Sequence, residues 1–331
     1  MIGSANGTRI GVTGLGVHVP ERVVTNDELA RHVQTSDEWI LDRTGIRERR
    51  MAADDEALTD IAMPAARAAL ADAGVEAADV DLVICATVTP DMMFPTSSAL
   101  MADELGATNA AAYDLLAGCT GFMYAVAQAY GMLAAGLSRR ALVIGADVLS
   151  KILDWEDRST LVLFGDGAGA VVVEPVDRGG FLGFELGADG GGGVHLQYPG
   201  SGSRTFEDPA SILKMNGREV FKFATRVMVT SAEAVLAECG KSIDEVDVYV
   251  PHQANKRIID YAVGKLGVPQ ERTVVNVHKY GNTSSGSIPL ALADARDDGR
   301  LRDGALVLMT GMGAGLTWGS ALLEWADRRS A

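Results

Sequence analysis

Cysteine is scarce. The 331 residues hold three, Cys85, Cys119 and Cys239, and no CxxC pair. An odd count in a long chain excludes a disulfide framework, and the missing CxxC spacing argues against a structural zinc site. Free thiols in a reducing, cytoplasmic compartment are expected. Basic excess is also missing: 29 Lys and Arg against 44 Asp and Glu leave a net charge of −15, the reverse of what a nucleic-acid binder presents. There is no HExxH and no P-loop. GVTGLGVHVP lacks the third glycine of a dinucleotide fingerprint, and Gly165 to Gly169 (GDGAG) precedes a strand rather than a helix. No metal, nucleoside triphosphate or dinucleotide is therefore expected. Met1 to Thr8 lacks the basic and apolar regions of a signal peptide.

What is present is an ordinary globular composition, 47% hydrophobic and 22% charged, on a chain long enough for two fused units or one large layered α/β domain. Leu115 to Ser138 carries no charge, a length that could cross a bilayer. Its glycines and Gln128, and the ordinary soluble sequence on either side, read instead as a helix buried on all faces, with no membrane partner. Ile10 to Val19 reads as a strand. Thr25 with Glu28, and Thr35 with Glu38, have capping-box spacing. A helix over Ala57 to Ala73 ends at Gly74. Asp81 to Thr87, Arg140 to Gly145 and Gly169 to Val173 read as buried strands, and their alternation with helices predicts a mainly parallel sheet. Asp189 to Gly193 (DGGGG) reads as a loop.

The chain repeats itself. Leu70, Ala71, Gly74, Val80 and Asp81 match Leu236, Ala237, Gly240, Val246 and Asp247, and Thr120-Gly121 with Ala125 match Ser285-Gly286 with Leu290 at nearly the same offset. Duplication predicts two equivalent halves, 1–175 and 176–331, meeting along a pseudo-twofold axis, with a site at their junction.

Cys119 sits in AGCTGF, where a strand-like run turns through glycines into the uncharged helix. That geometry suits an exposed nucleophile, and a helix N-terminus is expected to lower the thiol pKa. Cys85 and Cys239 fall within a strand and a last helical turn and read as inert. A thiolate nucleophile needs partners. His252, in VYVPHQAN, follows a strand of the second half, and Asn282, in HKYGNTSSGS four residues after His278, precedes the helix that the repeat aligns with the Cys119 helix. The repeat would bring Cys119 and Asn282 face to face.

Together AGCTGF, PHQAN, YGNTSSGSIP, FGDGAGAV and GAGLTWGSALLEW, with TSDEWI and RTGIRER near the start, resemble β-ketoacyl-[acyl-carrier-protein] synthase III, a condensing enzyme of the thiolase superfamily. The resemblance spans nearly the whole chain. It implies an α/β, thiolase-like fold, five-layered αβαβα, built from the two duplicated halves. It also implies a cytoplasmic homodimer that condenses an acyl-CoA with malonyl-acyl carrier protein, with acyl-CoA as substrate and no separate cofactor. Cys119 would carry the acyl group as a thioester, and His252 and Asn282 would hydrogen-bond the malonyl thioester carbonyl. The N–H groups of Cys119 and Ala314 would form the oxyanion hole. Family members often have glycine at the latter position, so Ala314 requires a negative φ.

By the same resemblance Thr35, Trp39, Arg43, Arg158 and Asn255 would hold coenzyme A. Leu149, Phe164, Leu196 and Leu213 would line the acyl pocket, which Phe94 closes from across a dimer interface. An acidic carrier repelled by this acidic chain needs a local basic patch. Lys256, Arg257 and Lys265 after His252, with Lys222, supply one, and Lys222 and Arg257 match the family's docking positions. Two other readings stay open: a relative that primes a polyketide or other secondary metabolite, and a noncatalytic dimer that binds acyl-CoA or carrier.

Overall fold

The structure, a computed structural model, describes residues 7–200, 202–203 and 212–326. Most of the Met1–Thr8 stretch lies outside them. Runs of β-branched and small apolar residues without charge become strands buried on both faces. One sheet holds β1 (Arg9–His18), β2 (Leu82–Ala86), β3 (Ala111–Leu115), β4 (Ala141–Asp147) and β5 (Gly167–Val176) in the order β1-β5-β4-β2-β3. The other holds β6 (Gly180–Ala188), β7 (Val248–Pro251), β8 (Leu306–Gly313) and β9 (Thr317–Glu324) in the order β7-β8-β9-β6.

The expectation of a mainly parallel sheet is corrected. β2 runs parallel to β3 and β4, and β7 to β8, but β4–β5, β5–β1, β8–β9 and β9–β6 are antiparallel. The parallel pairs of the first sheet are joined through helical crossovers, whereas β8 returns to β9 through a short turn that permits only the antiparallel arrangement.

Seven helices of eight residues or more lie among the described residues: α1 (Asp37–Thr44), α2 (Leu58–Ala73), α3 (Ser97–Leu105), α4 (Gly121–Ala134), α5 (Gly217–Glu238), α6 (Lys256–Leu266) and α7 (Ser287–Asp297). Helices α2 and α3 cover the outer face of the first sheet, α4 and α7 fill the space between the sheets, and α5 covers the second sheet with α6 packed on it. The layers are thus αβαβα. The uncharged run is explained by this placement: α4 buries Phe122, Met123, Val126, Tyr130 and Leu133 between two sheets. No helix among the described residues is long and apolar enough to cross a membrane.

Local rules mostly hold. Thr25 caps a short helix by accepting from Glu28 N, as its spacing predicts. Thr35 does not cap α1; Ser36 does, accepting from Trp39 N at 3.1 Å, because the chain turns helical one residue later. DGGGG is not a loop but the start of a 3₁₀ helix, Gly190–His195, which Asp189 caps by accepting from Gly191 N. The repeat's paired glycines behave alike: Gly74 and Gly240 take φ of +65° and +64°, ending α2 and α5 in the left-handed conformation that costs glycine little.

Candidate active site

Beyond β3 the chain winds through the 3₁₀ turn Gly118–Thr120 and enters α4, leaving Cys119 at the helix entry. The turn lies against the β8–β9 connection. A Cβ on Gly118, whose φ is +56°, would stand 2.7 Å from Ala314 N, and one on Gly313 would stand 2.5 Å from Cys119 N. Only glycine allows two backbones to pass this closely. The Thr317 hydroxyl lies 2.8 Å from Ala314 O and 3.0 Å from Ala117 O, pinning the two segments together. Among the described residues Ser284 is the only non-glycine with a positive φ, so Ala314 keeps the ordinary backbone its expected role requires.

His252 leaves the C-terminal end of β7 and is 1% exposed. Its Nδ1 is hydrogen-bonded with Ser287 Oγ at the start of α7, while Nε2 is buried with no protein partner. Burial pushes the imidazole down to about 3, so it is neutral at physiological pH. Asn282 is buried. Its Oδ1 accepts from Ser284 N at 2.9 Å, which turns the amide NH₂ outward, and its backbone bonds to Leu163 and Gly165 of the first half. Cys119, His252 and Asn282 line one cavity of about 620 Å³ including its open mouth. His278 is not among its lining residues.

The thiol departs from expectation. Burial pushes Cys119 up to about 12, the Asp147 carboxylate raises it further, and contacts with Ser284, its own N–H and Asn282 only partly offset this. Loss of water around the charged form outweighs the favourable helix end.

Of the residues expected to hold coenzyme A, only Asn255 lines the cavity. Its Nδ2 donates to Arg43 O at 3.2 Å, tying α6 to the end of α1. Trp39 is 36% exposed, and the Arg158 guanidinium lies 4.6 Å over its ring while Nη1 donates to Gln34 O. Arg43 is exposed beside Asp42. Thr35 Oγ1 is buried and unpartnered.

Of the expected acyl-pocket residues, Phe164 and Leu196 line the cavity. Leu149 and Leu213 do not line it; they pack in the hydrophobic cluster behind it. Phe94 stands 84% exposed and lines none of its own chain's cavity. The basic residues divide. Arg257 lies 5.7 Å over Phe221, itself a lining residue, and Lys222 and Lys265 border a groove between α5 and α6 together with Arg226. Lys256 is paired with Asp260 at 2.6 Å, and Lys222 with Glu219 at 2.7 Å.

Sequence reasoning missed Met215, Val220, Phe221, Ile258 and Met312 in the cavity wall, apolar residues indistinguishable from core in a sequence. It also missed Asp147, whose carboxylate accepts from Thr87 Oγ1 and Val88 N on one side of the junction and from Ser285 N on the other. A lone carboxylate closing the apolar run ALVIGAD was the available signal.

Two large sheets with a shared middle layer of helices define a thiolase-like fold, the class of condensing acyltransferases. Comparison with known proteins narrows this. Residues 113–190 match the family described as 3-oxoacyl-[acyl-carrier-protein] synthase III, and residues 236–325 match its C-terminal part. The β-ketoacyl-[acyl-carrier-protein] synthase III of Symbiobacterium thermophilum is 53% identical over 323 residues, covering 96% of this chain and 98% of that protein. The crystal structure of the corresponding synthase from Thermus thermophilus is 50% identical, with a TM-score of 0.91 over 96% of this chain and 99% of that one. A priming β-ketosynthase from the R1128 polyketide pathway is 40% identical, also at a TM-score of 0.91, covering 97% of each. The chain belongs to the β-ketoacyl-[acyl-carrier-protein] synthase III family.

Proposed function

We propose that the chain performs the decarboxylative condensation that starts fatty-acid synthesis, using Cys119, His252 and Asn282. The observation that carries this reading is their convergence on one cavity, with Nε2 of a neutral imidazole free of protein partners and the Asn282 side chain in contact with the Cys119 thiol. The Cys119 sulfur attacks the acyl-CoA carbonyl; the thioester to coenzyme A breaks, and the thiol proton leaves with the coenzyme A thiol. The N–H groups of Cys119 and Ala314 receive the developing oxyanion. Malonyl-carrier protein then loses CO₂. The resulting enolate attacks the acyl-Cys carbonyl, giving the 3-ketoacyl thioester, and the sulfur regains a proton.

Gln253 N donates to Ser287 Oγ at 3.3 Å, which frees the Ser287 hydroxyl proton for Nδ1 of His252 and leaves the imidazole proton on Nε2. Two neutral donors then meet the enolate oxygen, each worth about 3–4 kcal/mol in the transition state. Decarboxylation removes no proton from carbon, so no strong base is required. No cofactor beyond the acyl-CoA substrate enters these steps.

Coenzyme A would lie along Thr35, Trp39, Arg43, Arg158 and Asn255, its base entering where Arg158 now covers Trp39. Phe164 and Leu196 would contact the acyl chain, with Leu149 and Leu213 supporting them. Lys222, Lys256, Arg257 and Lys265 would meet the acidic carrier, Lys222 and Lys256 contributing less because Glu219 and Asp260 hold them.

The working form is proposed to be a cytoplasmic homodimer. Strand β3 ends the first sheet with an unpaired edge, and Met92, Met93, Phe94 and Leu116 nearby are exposed apolar side chains, a combination that soluble proteins cover. Phe94 would then cap the partner's acyl pocket.

The test is condensation of malonyl-carrier protein with acyl-CoAs of rising chain length. Turnover of a short or branched starter to the 3-ketoacyl-carrier product is expected; no product with any starter would refute the reading. The 40% identity to a priming polyketide synthase favours, as a second reading, a starter specific to a secondary metabolite, which the same panel separates.

A further inference from the structure

Directly after His252 lies Gln253, 1% exposed, whose side chain has no part in the chemistry above. Its side-chain amide is fully satisfied. Nε2 donates to Pro251 O at 2.7 Å and to Val274 O at 3.1 Å, and Oε1 accepts from Asn276 N at 2.9 Å and Val277 N at 3.1 Å. Its backbone N–H reaches Ser287 Oγ, the oxygen that also meets His252 Nδ1. Every one of these partners lies on a segment that carries or supports a proposed catalytic group. Pro251 is the residue before His252. Asn276 and Val277 open the short helix Val277–Tyr280, from which Gly281 leads to Asn282. Ser287 begins α7 and orients the imidazole.

We infer that Gln253 is a positioning residue whose buried amide clamps the His252 exit to the segment that presents Asn282, fixing the distance between the two donors. The inference rests on the proposed roles of His252 and Asn282. Glutamine alone fits this place: two donors face two carbonyls, and one acceptor faces two N–H groups. Asparagine falls one methylene short, and methionine fills the volume without any of the bonds. A shift of about 1 Å between groups that must meet one oxygen can cost roughly 10²-fold in rate. Acyl transfer to Cys119 forms no enolate for the two donors to hold and is expected to respond far less to such a shift.

The experiment measures the two half-reactions separately in Gln253→Met: acylation of Cys119 by acyl-CoA in a single turnover, and condensation with malonyl-carrier protein at steady state. Acylation is expected to stay within roughly threefold of wild type. The condensation kcat is expected to fall about 10²-fold while KM for the carrier changes little. Equal losses in both half-reactions, or undiminished condensation, would overturn the inference. Should Gln253→Met not fold, Gln253→Glu decides: it keeps the acceptor for Asn276 and Val277 N–H and is expected to acylate normally with a reduced condensation kcat. Wild-type condensation in that variant overturns the clamp. Asn282→Ala, measured alongside, reports on the underlying reading. If it still condenses, the proposed roles fail; if it loses condensation while the Gln253 variants keep it, only the clamp fails.

Discussion

A thiol pushed up to about 12 beside an imidazole pushed down to about 3 does not form a thiolate–imidazolium pair at rest, because burial has stripped water from both charged forms. The reactive species for alkylation is the thiolate, whose fraction rises tenfold per pH unit below the pKa. Iodoacetamide labelling of Cys119 in the resting enzyme is therefore expected to climb steadily up to about pH 10; a plateau near pH 7 would show a preformed ion pair. With His252 neutral throughout, the condensation step should show no histidine limb between about pH 5 and pH 8. Removing one donor, as in Asn282→Ala, should lower condensation about 10²–10³-fold, measured as ketoacyl-carrier formation. That Cys119, His252 and Asn282 share one cavity was legible because each follows a strand or precedes a helix in glycine-rich or proline-marked surroundings. The direction of the Cys119 shift was not, since a helix entry is local and the burial around the thiol is tertiary.

At the scale of elements, helices act through their contacts. Strand β1 carries Gly16 where α2 crosses it, and a Cβ there would stand 2.3 Å from both Ala65 O and Ala69 N. Backbone atoms yield poorly, so Gly16→Ala is expected to destabilise the fold by about 1–3 kcal/mol, read as a lower urea midpoint at unchanged m-value. Helix α6 offers Arg257 at the cavity mouth. Arg257→Glu should raise KM for malonyl-carrier protein sharply and leave acylation by acyl-CoA nearly unchanged, and added salt should weaken carrier binding to the native protein. Equal damage to both half-reactions would move the docking face elsewhere. Charge-free strands and glycine helix stops were legible, being local in cause. Sheet direction was not: β5 and β9 run antiparallel because of how the chain returns, which no single strand's composition records.

At the scale of the whole molecule, α4 and α7 share the hydrophobic cluster between the two sheets, and Asn282 lies on one cavity with Cys119, an arrangement that the internal repeat leads one to expect. The proposed subunit pairing is harder to see in one chain, where Phe94 is simply exposed. Phe94→Ala should shift the starter preference toward longer acyl-CoAs in a dimer of unchanged sedimentation; an unaltered chain-length profile would remove it from the acyl pocket. The central claim is that one sulfur carries the acyl group between two substrates. Intact mass and peptide mapping after mixing with acyl-CoA, followed by a chase with malonyl-carrier protein, test it most directly. The account predicts a single acyl adduct on Cys119 that disappears as 3-ketoacyl-carrier protein forms. An adduct on another residue, or one that survives the chase while product accumulates, would contradict it.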